Sequence, residues 1–213
     1  MMGTWILLLI LLSSALPAII VFIWLKVSNS PVTLLWMLAS LVAGILSFIG
    51  AALIQSFFTL ASQYSFGTML FDIFIRIAML EEASRIITLV LLLIAASKLE
   101  DLDWNIGATL GLIAGLGFAL IESAYHGLSD INITMLRAFT AAPLHGACGI
   151  RTGAAVFTFG SNKGKSVFYF LSAVIIHGAY NMAIISPAIP SALAILIAIT
   201  AFLASLTYIK RDT

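Results

Sequence analysis

Residues 69–96 read MLFDIFIRIAMLEEASRIITLVLLLIAA, an apolar run that holds Glu81, Glu82 and Arg85 near its middle. The run is long enough to cross a bilayer, because a transmembrane helix needs about 20 mainly apolar residues. A charged side chain at the centre of a bilayer costs roughly 2.5–3.5 kcal/mol on insertion scales, so the few that occur there usually serve a function. This run therefore predicts a membrane helix that carries functional groups.

The composition of the whole chain is typical of an integral membrane protein. Of its 213 residues, 62% are hydrophobic and 9% are charged, whereas soluble domains carry about 25% charged residues. We therefore predict an all-α, polytopic bundle of about seven transmembrane helices that forms a single domain over residues 1–213, with its motifs at 69–185. The predicted spans are residues 4–25, 32–57, 69–96, 105–125, 134–159, 166–185 and 191–208.

Lysine and arginine residues are distributed unevenly between the predicted loops. One side of the bundle, with the C-terminal tail, carries Lys26, Lys98, Lys163, Lys165, Lys210 and Arg211. The loops on the other side, around residues 62–66, 124–133 and 186–190, contain no lysine or arginine. Because these residues concentrate in cytoplasmic loops, we expect a multi-pass protein of the cell membrane with its N-terminus outside and its C-terminus in the cytoplasm.

Ionisable groups from four predicted helices fall at similar depths in the bilayer. They are Glu81, Glu82, Glu122, His145 and His177, with Asn181 one turn after the last of them. His145, for example, lies about 15 Å into the fifth span at 1.5 Å per residue. We therefore predict one polar layer, nearer the outer face, made of groups that can activate water.

One face of the fourth predicted helix carries small residues followed by a carboxylate. It consists of Gly107, Gly111, Gly115, Phe118 and Glu122, which recur at helical spacings of three and four. Glycines on such a face allow a neighbouring backbone to approach closely. On the fifth helix the same pattern is repeated by His145, Gly149, Thr152 and Gly153. We expect a close helix contact into which this face delivers Glu122.

Other residues have simpler expected roles. Near the outer rim, where long side chains reach interfacial water, lie Asp72, Arg76, His126, Asp130 and Arg137. Arg151 lies deep in the fifth span, where we expect a structural ion pair. Pro143 is expected to kink the fifth helix and to open a cavity beside His145. The lone Cys148 excludes an internal disulfide and a cysteine-rich metal site.

Four short motifs occur in order: Glu81-Glu82-Ala-Ser-Arg85, Gly115-Leu-Gly117-Phe118-Ala-Leu-Ile-Glu122, His145-Gly-Ala-Cys-Gly149 and His177-Gly-Ala-Tyr180-Asn181. They resemble the motifs of PrsW-type intramembrane proteases, which are related to the CAAX-prenyl endopeptidases and the bacterial Abi proteins. Arg85 stands where PrsW proteins usually carry lysine, and Ser123 replaces a common asparagine. The resemblance implies an intramembrane endopeptidase that acts on membrane-associated protein substrates, and site-one cleavage of anti-sigma factors is linked to such enzymes.

The predicted catalytic residues are Glu81, Glu82, Arg85, Glu122, His145, His177 and Asn181. Peptide hydrolysis needs an activated water, a proton shuttle and a stabilised oxyanion. In a metalloprotease mechanism, Glu122, His145 and His177 hold Zn²⁺ with a water in the open position. Glu81 or Glu82 is then the general base.

A metal-free glutamate mechanism fits the same residues and resembles that of the CAAX enzymes. A carboxylate of the Glu81–Glu82 pair activates water with the assistance of His145. His177 and Asn181 then donate hydrogen bonds to the oxyanion, a role that suits an amide because it needs no change of protonation. The sequence leaves both mechanisms open.

Two other functions also place polar groups at membrane depth. A small-molecule or ion transporter does so, although the two halves of the chain show no inverted repeat. A non-catalytic membrane scaffold would retain the fold, but the intact Glu81–Glu82 pair argues against it. A net charge of +1 without a basic stripe gives no indication of nucleic-acid binding.

Overall fold

The computed structural model describes residues 4–58, 65–95, 104–186 and 188–209, and these residues form helices joined by short loops, with no strand among them. In chain order the helices are α1 (Thr4–Val27), α2 (Leu34–Ser56), α3 (Phe66–Phe71), a π-helix (Asp72–Met79), α4 (Leu80–Ala95), α5 (Trp104–Gly127), α6 (Ile131–Phe139), α7 (Ala141–Thr158), α8 (Lys163–Ile185) and α9 (Ala192–Leu206).

Helices that suit a bilayer form much of this bundle. Among the described residues, α1, α2, the segment Asn105–Gly127 of α5, and α8 are long and apolar enough to cross a membrane, and α9 is a shorter apolar helix. Large apolar side chains of α1, such as Leu12 and Ile23, remain exposed, as expected of a surface that faces lipid. The all-α membrane class is confirmed, and the count of seven spans stays a prediction. Lys98, Lys210 and Arg211, which entered the orientation argument, lie outside the described residues.

The central contact of the bundle joins α5 to α7, backbone against backbone. A Cβ atom on Gly111 would collide with the carbonyl oxygen of Gly149, and a Cβ on Gly115 would collide with that of His145. The expected close approach of the glycine face is therefore confirmed, and α7 is the helix that approaches. Since His145 takes part in this contact, it lies beside the face of α5 that carries Glu122.

α2 packs against both α5 and α4 and so closes another side of the bundle. A Cβ on Gly44 would collide with the carbonyl oxygen of Ala114 in α5. Towards α4, the Ser84 hydroxyl donates to the Ser47 carbonyl oxygen at 2.7 Å. These contacts fix α2 so that its last turn, with Gln55, lies near Glu81.

The run 69–96 differs from the single regular helix that its sequence predicts. Its first part consists of α3 and the π-helix, and α4 begins at Leu80, one residue before Glu81. A π-helix bonds each N–H to the carbonyl five residues earlier, and such segments occur often at functional sites. The wider turns set the direction in which the first residues of α4 point.

The predicted fifth span, residues 134–159, is wrong as one continuous helix. It is divided into α6 and α7 at Thr140, whose backbone leaves the helical region (φ −123°, ψ −64°). Pro143 lies in the first turn of α7, where its missing N–H costs no hydrogen bond. It therefore begins a helix and does not kink one. Because α6 is separated from α7 at Thr140, its direction differs from that of α7, and Arg137 of α6 contacts Glu122 of α5.

Candidate active site

Six of the seven predicted catalytic residues are in contact with one another inside the bundle. We call them the polar cluster: Glu81, Glu82, Arg85, Glu122, His145 and His177. Glu82 and Arg85 are fully buried, and the two histidines are 1% exposed. Charged groups at this burial require partners, because an unpaired ion in a low-dielectric interior is strongly destabilised.

Glu82 has both of its carboxylate oxygens occupied. Arg85 donates to Oε2 from Nη1, and the Nδ1 atom of His177 lies 2.8 Å from Oε1. A carboxylate only accepts hydrogen bonds, so Nδ1 of His177 carries its proton. In neutral His177 the lone pair is therefore on Nε2. Carboxylate–histidine contacts of this kind orient the histidine ligands of metal sites.

Glu81, the preceding residue, has only one oxygen occupied. Its Oε1 accepts a hydrogen bond from Gln55 at 3.2 Å, and its buried Oε2 has no hydrogen-bond partner among the described residues. That Oε2 lies 3.6 Å from the Nε2 atom of His177. Two acceptor atoms thus face each other at a short distance. A proton or a cation between them would satisfy both.

Glu122 and His145 form the third part of the cluster. Glu122 Oε2 accepts from Arg137 and lies 2.7 Å from His145 Nε2. On the other side of the imidazole, Arg85 Nη2 lies 3.4 Å from His145 Nδ1. Because arginine can only donate, Nδ1 acts as the acceptor and Nε2–H donates to Glu122. The Phe118 ring packs 4.8 Å from the His145 ring and fixes its plane.

A cavity of about 550 Å³ opens beside the cluster, at the end of the bundle where α5 and α8 end. Its polar lining includes Glu81, Glu122 and Asn181, and Phe48 and Ile184 belong to its apolar wall. Asn181, the seventh predicted residue, thus lies on the cavity and not in the network of direct contacts. A substrate backbone in this cavity would meet a carboxylate and an amide.

The cluster also brings together three residues that could hold a metal ion. Ligand atoms of Glu81, His145 and His177 all lie within 4.8 Å of one another. Two ligands about 2.1 Å from a tetrahedral Zn²⁺ lie roughly 3.4 Å apart, close to the 3.6 Å between Glu81 and His177. The unpartnered oxygen of Glu81 gives the same indication. Two histidines and one glutamate are a known catalytic zinc set.

This set differs from the predicted one in its carboxylate. Glu81 occupies the place that the sequence analysis gave to Glu122. The reason is Arg137, which pairs with Glu122 from α6 and holds it on the far side of His145. Arg137 itself was expected only at the rim. Its role depends on the break at Thr140, which the apolar pattern does not reveal.

Gln55 is the other contact that the sequence analysis missed. It lies outside the four motifs. The sequence does contain one indication of its role, because Gln55 is the only amide or charged residue of the mainly apolar α2. The structural ion pair expected for Arg151 stays a prediction. Among the described residues its contacts are the Ser172 hydroxyl at 3.4 Å and the Tyr208 ring at 5.6 Å, and no carboxylate pairs with it.

Comparison with known proteins agrees with this geometry. A profile of the PrsW family of intramembrane metalloproteases matches residues 31–208, which include α2 to α9 and the whole polar cluster. Searches of curated proteins and of solved structures gave no match. The profile covers most of the chain, and the matched region contains buried carboxylates and histidines beside a cavity. The protein therefore belongs to the PrsW family of intramembrane metalloproteases.

Proposed function

We propose that the protein is a zinc-dependent endopeptidase that hydrolyses peptide bonds of membrane proteins at the polar cluster. The observation that carries this proposal is the contact between Glu81 Oε2 and His177 Nε2, two buried acceptors 3.6 Å apart. A divalent cation would satisfy both atoms, with His145 as the third ligand. The neighbouring cavity supplies room for a substrate segment.

Each residue has a separate task in this mechanism. Bound Zn²⁺ would activate a water molecule and polarise the carbonyl group of the scissile bond. Glu82 keeps the proton of His177 on Nδ1, so that Nε2 faces the metal position. Arg85 neutralises Glu82 and packs over the Phe118 ring, with its guanidinium carbon 4.8 Å from the ring centre.

Glu122 is the base in this scheme. With His145 bound to the metal, Oε2 would still be held by Arg137, whereas Oε1 lies 3.9 Å from His126 and remains open to a water in the cavity. A carboxylate within reach of the attacking water takes its proton and returns it to the leaving amine. Asn181 lines the same cavity, and its amide donates to the developing oxyanion.

A metal-free glutamate mechanism is the second candidate, and one contact favours it. Arg85 Nη2 lies 3.4 Å from His145 Nδ1, so the proton of His145 is on Nε2 and no lone pair there faces a metal. In this mechanism Glu81 activates the water, and His177 and Asn181 stabilise the oxyanion. For zinc to bind, His145 must exchange its hydrogen bond to Glu122 for the metal.

Metal analysis of the detergent-purified protein separates the two mechanisms. We expect about one Zn²⁺ per chain, lost in His145→Ala and His177→Ala. His126→Ala is the matched control, because His126 is half-exposed at the rim and is not in the ligand group. Chelators should abolish cleavage of a quenched-fluorescent casein in micelles, and added Zn²⁺ should restore it. Full activity without bound metal would reject the zinc mechanism and favour the glutamate mechanism.

We also propose that the substrates are cleaved on the extracytoplasmic side, as in site-one cleavage of anti-sigma factors. The support is the position of the cavity at the ends of α5 and α8, beside the predicted loops 124–133 and 186–190 that lack lysine and arginine. Lys163 and Lys165 lie at the opposite end of α8.

Cysteine labelling in intact cells tests this orientation. In a Cys148→Ser background, an impermeant reagent should label Ser65→Cys and leave Ser161→Cys unlabelled. Labelling of Ser161→Cys alone would reverse the orientation and place the cavity on the cytoplasmic side.

A further inference from the structure

We propose that Gln55 is a positioning residue that selects which oxygen of Glu81 takes part in the chemistry. The inference rests on the proposed role of Glu81 and extends the site to α2, outside the four motifs. The side-chain amide of Gln55 makes two hydrogen bonds, one to the π-helix and one to the start of α4.

The two hydrogen bonds of Gln55 use the whole donor capacity of its amide group. Nε2 donates to Glu81 Oε1 at 3.2 Å and to the Arg76 carbonyl oxygen at 3.1 Å. An amide NH₂ has two protons, so each bond takes one. The hydrogen bond to the Arg76 carbonyl therefore fixes the Gln55 amide, and the other hydrogen bond fixes the Glu81 carboxylate.

The Arg76 carbonyl lies in the π-helix, where the bonding pattern is irregular. In a regular α-helix the Leu80 N–H would donate to this oxygen, but it donates to the Ile77 carbonyl. Gln55 supplies a donor to Arg76 from the neighbouring helix. The geometry of the π-helix and the direction of Glu81 are thus set by the same side chain.

The consequence for Glu81 is that its two oxygens are no longer equivalent. Rotation about the last bond of a glutamate side chain is broad and roughly two-fold, so an unrestrained carboxylate would present either oxygen. With Oε1 bound to Gln55, Oε2 is the oxygen that faces His177 Nε2.

The neutrality of Gln55 matters as much as its position. A lysine or arginine in its place would form an ion pair with Glu81, as Arg85 does with Glu82, and would compete with any cation. A glutamine orients the carboxylate and leaves its negative charge available. This difference explains why an amide suits this position of α2.

The test compares Gln55→Leu with Ser84→Ala. Leucine approximates the size of glutamine and removes both hydrogen bonds. Ser84→Ala is the matched control, because it removes a buried hydrogen bond between the same two helices without touching the carboxylates. The readouts are the Zn²⁺ dissociation constant, kcat and KM for the quenched-fluorescent casein in micelles, and the melting temperature.

We expect Gln55→Leu to weaken zinc binding and to lower kcat by about 10- to 100-fold, as other residues behind metal ligands do, with KM and the melting temperature near those of Ser84→Ala. A merely structural role would lower the melting temperature and leave zinc affinity and kcat as in the control. Equal zinc affinity and equal kcat in the two variants would overturn the proposal.

Infrared spectroscopy separates this inference from the proposed function. The carboxylate band of Glu81 is the one that disappears in Glu81→Gln, and its frequency reports the hydrogen bond to Gln55 whether or not the protein binds metal or cleaves casein. We expect the band to shift in Gln55→Leu and not in Ser84→Ala. An unchanged band overturns the positioning role. Absence of metal and of cleavage in the wild type, together with a shifted band, would reject only the proposed function.

Discussion

Glu81 and Glu82 are neighbours in the sequence, and both are buried, yet they differ in the partners that satisfy their oxygens. Glu82 is satisfied by Arg85 and by Nδ1 of His177, and no part of it is exposed. Glu81 has a neutral partner on one oxygen and, among the described residues, no hydrogen-bond partner on the other, and it lines the cavity. Of two adjacent carboxylates, one is part of the framework and the other is available for chemistry.

Helical geometry explains how neighbours come to differ so much. Successive residues of an α-helix point about 100° apart, so Glu82 faces the interior with Arg85 while Glu81 faces α2 and the cavity. His177 lies between them and contacts Glu82 through Nδ1 and Glu81 through Nε2. The cluster therefore has a closed side at Glu82 and an open side at Glu81.

The largest effect is expected from Glu81→Gln, which removes the charge on the open side and keeps the shape. Cleavage of the quenched-fluorescent casein should fall by about 10²- to 10⁴-fold, because the variant lacks either a ligand or a base. The melting temperature should change little, since the hydrogen bond that Glu81 accepts from Gln55 can also be accepted by the side-chain oxygen of glutamine. Near-normal cleavage by this variant would contradict the division into an open and a closed side.

Glu82→Gln should act mainly on stability. It leaves the buried Arg85 without its counter-charge, and breaking a buried ion pair in this way costs about 3–5 kcal/mol. Unfolding by sodium dodecyl sulfate in mixed micelles measures the loss. The double variant Glu82→Gln with Arg85→Met should recover much of it, because the uncompensated cation is gone. A stability equal to that of the wild type would show that the closed side is not a framework.

Gly115→Ala tests the close contact between α5 and α7 behind the cluster. The added methyl group would collide with the His145 carbonyl oxygen, and overpacking of this kind costs about 1–3 kcal/mol. Gly160→Ala is the control, since a Cβ there meets nothing within 4 Å. Both free energies come from the same unfolding assay, and equal values would contradict the close contact.

The smallest effect is expected from Tyr180→Phe, which removes one hydrogen bond outside the polar cluster. The Tyr180 hydroxyl donates to Thr140 at 3.1 Å, at the break between α6 and α7. Loss of a single neutral hydrogen bond costs about 1 kcal/mol. A loss as large as that of Glu82→Gln would show that stability is not concentrated on the closed side.

Much of this arrangement follows from the sequence. Apolar runs predict the helices, and glycines at spacings of three and four predict the close contact of α5. Ionisable residues inside those runs predict one polar layer. These predictions succeed because each depends on the spacing of residues within one helix or on the free-energy cost of placing a charge in lipid.

The division of roles within the cluster does not follow from the sequence. It depends on the π-helix before Glu81, which no hydrophobic period distinguishes from an α-helix. It depends also on the break at Thr140, which allows Arg137 to reach Glu122. It depends finally on Gln55, which matters because it contacts Arg76 and Glu81, residues that lie more than 20 positions further along the chain. Contacts with other helices decide which glutamate is available for chemistry. The residue pattern of a single helix does not reveal those contacts.

The reciprocal contact of α5 and α7 has a mechanical consequence. A Cβ on Gly111 would meet the Gly149 carbonyl oxygen, and a Cβ on Gly149 would meet that of Gly111. A screw motion of α7 by one residue, about 1.5 Å along the axis with a rotation of about 100°, would press the side chain of Cys148 or Ile150 against this backbone, so the contact opposes such a motion. We expect that a substrate helix on its way to the cavity does not separate α5 from α7. We expect it to pass between helices on the other sides of the bundle, while α5 and α7 remain the fixed wall against which the peptide bond is held.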